Sequence, residues 1–151
     1  MTVDVQTEIE ISRPRADVAA FASDPDNATA WYRNIKAVDW KTSPPATIGS
    51  KIAFVAEFLG RRLAYTYEVR ENFPNERFVM STAEGPFPME TTYEWEDIPG
   101  GGTRMRLRNR GNPSGFSKLT APVMAIAMRR ANMKDLTQLK AILERPNFAP
   151  S

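Results

Sequence analysis

Three tyrosines, Tyr65, Tyr67 and Tyr93, are the side chains here that could do chemistry. Tyr65 and Tyr67 stand two apart, so a strand puts both phenols on one face. Buried phenols need hydrogen-bond partners and could orient a ligand carbonyl or hydroxyl. They could also act as general acids, although a phenol near its ordinary pKa of ~10 is a poor base at neutral pH. Equally open is that all three bond only to backbone or water. Asn109 offers an amide clamp, or else satisfies local backbone. Trp31 and Phe116 could rim an opening, Phe116 from a loop next to Gly115, or simply pack.

Other chemistry is excluded by composition. The chain has no histidine and no cysteine. That removes serine–histidine and cysteine–histidine catalysis, histidine-ligated metal and disulfides. By strand parity Glu57, Glu68, Glu90, Glu94 and Glu96 fall on an outer face, so no carboxylate pair is expected inside. Glu84 sits at a strand end and escapes the rule. Asp135 and Glu144 do not form a metal set, and neither metal nor cofactor is expected. Arg129 and Arg130 could offer a guanidinium to an acidic ligand; a solvated helix face is the simpler account.

The elements that must position these residues are clearest from Gly85 to Leu143. On one strand Glu90, Thr92, Glu94 and Glu96 share a face, with Met89, Thr91, Tyr93 and Trp95 opposite. On the next, Arg104, Arg106, Arg108 and Arg110 share a face, with Thr103, Met105, Leu107 and Asn109 opposite. A loop from Ile98 to Gly102 sets Glu96 against Arg104, Glu94 against Arg106 and Glu90 against Arg110. Such cross-strand pairs stabilise by roughly 0.2–1 kcal/mol each. A one-residue slip would bring arginines among Met89, Tyr93 and Trp95, so the register is strongly specified. The ladder reads as a solvated face rather than a nucleic-acid stripe, because glutamates stand ready to neutralise it.

Upstream, Val3, Val5, Thr7, Ile9 and Ile11 alternate as a half-buried strand. Ser12 before Pro14 predicts a capped helix from Ala16 to Ala22, and Asp24-Pro25 starts a second short helix to about Tyr32. Strands are predicted over Ile35–Thr42, Gly49–Phe58, Arg62–Arg70 and Arg77–Ala83. A two-residue turn at Gly60-Arg61 pairs Phe58 with Leu63, Ala56 with Tyr65, Phe54 with Tyr67 and Ile52 with Val69. The last helix is predicted from about Ser117 to Glu144. Leu136, Leu139 and Leu143 give it an apolar stripe, and its first half, with Met124, touches sheet, loops and cavity together. Residues 1–145 read as one domain and 146–151 as a frayed tail.

The 151 residues, 42% of them hydrophobic, suit one folded domain. A net charge of +2 implies no polyanion partner. Charge is uneven: residues 1–100 carry 10 basic and 16 acidic side chains, residues 101–151 carry 10 and 2. The two parts are expected to pair with each other. The acidic start MTVDVQTEIEI lacks a signal-peptide pattern, and no apolar run approaches the ~20 residues of a membrane span. A cytoplasmic protein is expected.

The element order is strand, two short helices, six strands, long helix. It predicts an α+β fold in which a curved antiparallel sheet of about seven strands wraps the long C-terminal helix. Here the chain resembles the SRPBCC superfamily, the helix-grip fold of START-like lipid-binding and polyketide cyclase/dehydrase-like proteins. The resemblance rests on Arg13-Pro14, on Asp24-Pro25 with Asn27 and Trp31, and on Gly60 with Tyr67 and Val69. It continues through Gly85-Pro86-Phe87, Tyr93, Gly102-Thr103, Gly111, Gly115-Phe116, Leu139-Lys140 and Leu143-Glu144. It implies the fold and a ligand cavity. It carries no shared catalytic motif, since such proteins include carriers, hormone receptors and cyclases.

The expected inner face holds Ile52, Phe54, Phe58, Leu63, Tyr65, Tyr67, Phe78, Met80, Met89, Tyr93, Trp95, Met105 and Leu107, with Thr82, Thr91 and Asn109 as its polar members. An apolar pocket with sparse polar groups suits a small molecule; the same side chains could also fill a solid core. Residues expected to touch a ligand are Trp31, Phe54, Phe58, Tyr65, Tyr67, Met80, Met89, Tyr93, Met105, Asn109, Phe116 and Met124. The first functional reading is binding or transport of an apolar, lipid-like or polyketide-like molecule. A polyketide cyclase/dehydratase-like enzyme using the tyrosines is the second. A non-catalytic interaction module, using the exposed sheet with Arg106 and Arg108 or the helix end, is the third. No nucleic-acid partner is expected, and a homodimer stays open.

Overall fold

The computed structural model describes residues 3–58, 60–85, 87–112 and 121–148. Seven strands form one antiparallel sheet in the order β1-β7-β6-β5-β4-β3-β2. They are β1 (Val3–Ile11), β2 (Ile35–Trp40), β3 (Lys51–Phe58), β4 (Arg61–Phe73), β5 (Arg77–Glu84), β6 (Met89–Ile98) and β7 (Gly102–Gly111). Helices α1 (Arg15–Ala22) and α2 (Ala28–Trp31) follow β1, and α3 (Ala121–Leu143) closes the fold. This is the helix-grip arrangement expected from the element order. The start predicted for the last helix, Ser117, lies outside the described residues. β4 shifts register against β5 at Thr66/Tyr67 and again at Val69/Glu71. Such irregularities bend a strand and help the sheet curl.

The β6–β7 register matches the expectation: Glu90 faces Arg110, Glu94 faces Arg106 and Glu96 faces Arg104. β1 joins the other side of β7, with Glu8 opposite Arg106 and Glu10 opposite Arg104. The arginines of β7 therefore sit between two acidic strands. Glu96 accepts from Arg104 at 2.8 Å and Arg106 at 2.7 Å, and Asp4 takes both arms of Arg108. These hydrogen bonds hold the Glu96 and Asp4 carboxyls below the usual carboxylate range. The expected pairing of the acidic and basic parts of the chain takes this form.

Two local expectations are corrected. In the β3–β4 hairpin Ile52 faces Tyr67, Phe54 faces Tyr65, Ala56 faces Leu63 and Phe58 faces Arg61. The strands are thus already paired at Arg61, and Gly60 before it takes a φ of +75°, a conformation glycine adopts readily. The slip is two residues, so every side chain keeps its face. Ser12 does not cap α1; Pro14 holds that place with no side-chain cap. The Ser12 N–H instead donates to Glu144 at 2.7 Å. Asp24 does cap the turn into α2, accepting the Asp26 N–H at 3.0 Å with Pro25 at its start.

The core lies between the sheet's inner face and α3. Leu136, Leu139 and Leu143 are fully buried there. The C-terminal end of α3 is tied down by polar contacts. Arg13 donates to the carbonyls of Leu143 and Arg145, satisfying groups a helix end leaves free. Lys140 donates to the Glu10 carbonyl and to Glu144. Beyond the helix, Phe148 packs edge-on against Phe21 and beneath Arg13, so the segment expected to fray is anchored at least that far. In the first half of α3, expected to touch sheet, loops and cavity together, Met124 and Met128 are buried while Val123 and Ile126 face solvent. Leu139→Ala is expected to cost about 2–5 kcal/mol in urea unfolding. Ile126→Ala, on the 53% exposed side chain, is expected to change stability by about 0.5 kcal/mol or less.

Candidate functional site

The core is hollow at its centre. A cavity of about 160 Å³ lies between the middle of α3, the α1–α2 segment and the inner faces of β3 to β7. That is below the ~300–1,000 Å³ common for drug-sized ligands, so as it stands it suits a molecule of about one ring. The sheet contributes Phe54, Leu63, Tyr65, Tyr67, Phe78, Met80, Met89, Thr91, Tyr93 and Asn109. Period two explains why one face supplies them all. Phe87 adds an edge-on contact to Tyr65. Gly85 lets that tyrosine lie flat against the backbone, since a Cβ there would stand 2.6 Å from the ring.

Helix α3 contributes Met128, Ala131, Asn132 and Asp135, spaced three and four apart along one face. Tyr32, just past α2, completes the wall. Its hydroxyl is hydrogen-bonded to that of Tyr93. Asp135 is buried and accepts the Arg33 backbone N–H at 3.0 Å. The Asn132 side-chain nitrogen is buried without a partner. Across the cavity Thr91 donates to Asn109 at 2.9 Å. The exposed residues Asp24 and Glu57 mark where the cavity meets solvent.

Burial shifts the titration of these groups. It pushes the Tyr67 phenol up to about 12 against a hydrogen bond with Thr91. It also raises Tyr93, Tyr65 and Tyr32. All four phenols are neutral donors at physiological pH. Burial pushes the Asp135 carboxyl up to about 6, with the Arg33 N–H opposing. The cavity therefore combines neutral phenols with one carboxyl poised near neutrality, a combination suited to holding or moving a proton. Among the described residues no group of three or more Asp or Glu side chains is placed to hold a metal ion.

Of the residues expected to touch a ligand, Phe54, Tyr65, Tyr67, Met80, Met89, Tyr93 and Asn109 line this cavity. Three do not. Trp31 is 1% exposed and stacks behind Tyr32, ring centroids 4.0 Å apart. Met105 is fully buried between Ile9 and Trp95, where α3 packs on β1 and leaves no space. Met124 is buried one turn before Met128, where the cavity begins. The Phe58 side chain and all of Phe116 lie outside the described residues. One carboxylate does reach the interior: Asp135 enters from the helix, which strand parity does not cover. Tyr32, Asn132, Asp135 and Phe87 were missed. The spacing Met124, Met128, Asn132, Asp135, Leu139, Ile142 marks one helical face and places both polar residues on it.

Residues 2–144 match a family described as polyketide cyclase / dehydrase and lipid transport. No curated protein matches the chain in sequence. Among solved structures, the Zhui aromatase/cyclase from Streptomyces sp. R1128 superposes with a TM-score of 0.79 at 14% identity, covering 99% of this chain and 98% of its own. A START superfamily protein from Mycobacterium smegmatis gives 0.78 at 12% identity, covering 91% and 94%. Ginseng major latex-like protein 151 from Panax ginseng gives 0.73 at 11%, covering 93% and 96%. At these identities the likeness is one of fold. No helix among the described residues is long and apolar enough to cross a membrane.

Asp135 makes a stability measurement informative. Its folded pKa stands above the unfolded value of roughly 4, so between pH ~4 and ~6 the native state holds a proton the unfolded chain has released. Its contribution to stability thus falls as pH rises through that window and levels off above it. Asp135→Asn is expected to gain about 2–3 kcal/mol relative to wild type between pH 4 and pH 7.5. Urea unfolding at both pH values measures it; an unchanged difference would mean Asp135 is not desolvated.

Proposed function

We propose that this chain, which belongs to the polyketide cyclase / dehydrase and lipid transport family, binds an apolar, ring-bearing small molecule in the cavity between its sheet and α3. A ligand-binding or polyketide-cyclase role follows from that membership. The observation that carries the finer reading is the lining itself: aromatic and methionine side chains around a few convergent polar groups. The apolar wall supplies affinity through burial. Tyr65, the Tyr32–Tyr93 pair and Asn109 supply orientation. The cavity suits one ring as it stands, so a larger polyketide-like or lipid-like ligand requires its walls to move apart.

The test is native mass spectrometry of freshly purified protein, followed by solvent extraction and titration with an apolar fluorescent probe. A ring-bearing metabolite, or saturable uptake of the probe at one per chain, is the expected result. Met80→Trp, which fills the cavity, is expected to weaken uptake at least about tenfold. A solid protein with no saturable uptake would remove the reading.

A second reading is a cyclase/dehydratase-like enzyme, favoured by the presence of Asp135 and the Tyr32–Tyr93 pair on one cavity. In it the Asp135 carboxylate takes a proton from carbon beside a ligand carbonyl, and a phenol donates to the oxygen that gains charge. Tyr→Phe at 65, 67 or 93 is then expected to abolish turnover of a poly-β-ketone chain while leaving uptake largely intact. Full turnover in all three variants would rule this version out.

A further inference from the structure

The cavity's lining is unbalanced in charge. Among the described residues it holds three carboxylates, Asp24, Glu57 and Asp135, and no lysine or arginine. Two stand at the mouth, and Asp135 lies inside, 4% exposed. Its one hydrogen bond among the described residues is the Arg33 backbone N–H, and it has no salt bridge there. The Arg33 and Lys134 side chains face a groove on the outer surface instead. Elsewhere the chain supplies cations freely, with Arg104 and Arg106 on Glu96 and Arg108 on Asp4. Asp135, the most buried carboxylate among the described residues, has no cation in contact and feels the Arg33 charge only from beyond salt-bridge distance.

What surrounds Asp135 is aromatic. Tyr32 and Tyr93 both feel the Asp135 charge, and Tyr67 and Phe78 line the same cavity. Aromatic faces carry negative charge density and attract cations, most strongly away from water. A buried carboxylate is costly to leave unpaired, and a ligand bearing a second carboxylate would add repulsion with no cation in the described lining to offset it. An ammonium group meets both features at once, as counter-charge for Asp135 and as a cation against the rings.

We propose that the cavity selects an organic ammonium: a ring-bearing amine whose charged nitrogen sits between the Asp135 carboxylate and the Tyr32 and Tyr93 rings, with its hydrocarbon part on the aromatic and methionine walls. The inference rests on the ligand-binding reading above and adds the charge class of the ligand. The unpartnered Asn132 nitrogen, one turn before Asp135 on α3, would take an acceptor oxygen on the same molecule. Free fatty acids and other carboxylates are disfavoured by the same charges.

Three probes of near-equal size test it: 2-phenylethylamine, 2-phenylethanol and 3-phenylpropionate, titrated calorimetrically into the full chain at pH 7.5. The amine is expected to bind about tenfold or more tighter than the alcohol, with the propionate weakest. In Asp135→Asn, its fold checked by its unfolding midpoint, the amine is expected to drop to the alcohol's level. In the wild type, lowering the pH from 7.5 to 5 is expected to weaken the amine and not the alcohol as Asp135 takes up a proton. The other charged or titratable groups around it are Tyr32, Tyr93, Arg33 and Lys134, with Asp24 and Glu57 at the mouth; an Asp24→Asn, Glu57→Gln double variant separates the mouth from Asp135. An alcohol that binds as tightly as the amine, or an amine advantage that survives both Asp135→Asn and pH 5, overturns the ammonium inference and leaves the cavity reading standing. Failure of all three probes to bind overturns both.

Discussion

Next to the β1 edge of the sheet, the arginines of β7 are held between the acids of β6 and β1. Arg104 alone meets Glu96 and Glu10 at 2.8 Å each. Individually these exposed pairs contribute little. Their importance lies in what they forbid. A strand that slips by one residue turns its whole charged row into the core. With the outer row fixed, Met89, Thr91 and Tyr93 on β6, and Met105, Leu107 and Asn109 on β7, have no choice of face. The cavity wall is in this sense the reverse side of the charge ladder.

The second constraint is the anchoring of α3 at one end only among the contacts described. Its last turns are tied to β1 and to the start of α1 through Arg13, Lys140 and Glu144. There the leucines fill the space against the sheet and the interior is solid. From Asp135 back to Met128 the helix faces phenols and methionines across a gap. Solid core and hollow core are thus two stretches of one helix packed on one sheet. Large apolar side chains fill one stretch, while Ala131, Asn132 and Asp135 leave space in the other.

Much of this was legible in the sequence, because strands announce themselves by alternation. The ladder, the inward tyrosines and the element order all follow from period two and a few turn residues. The β3–β4 hairpin shows the limit of such reasoning. Placing the turn one position late shifted every pair by two, and the error was invisible to face assignment because two is the period itself. The site's helical contribution was harder to read. Asn132 and Asp135 are polar residues on a buried face, and a search for apolar spacing passes over them. Tyr32 lies just past a four-residue helix, where neither periodicity applies. What a sheet contributes to a cavity can be read from pattern; what enters from a short helix and the loop after it needs the packed structure.

Tyr32 borders the interior cavity on one side and the outer groove between α2 and α3 on the other. The partition at that point is one ring thick, and Trp31 lies against it with centroids 4.0 Å apart. An indole so placed is sensitive to any motion of its neighbour. The chain has only two other tryptophans: Trp40, whose indole N–H donates to Asp26, and Trp95 in the sheet. The fold thus carries a built-in optical gauge, and the emission of Trp31 would register the opening and filling of the interior in unlabelled protein.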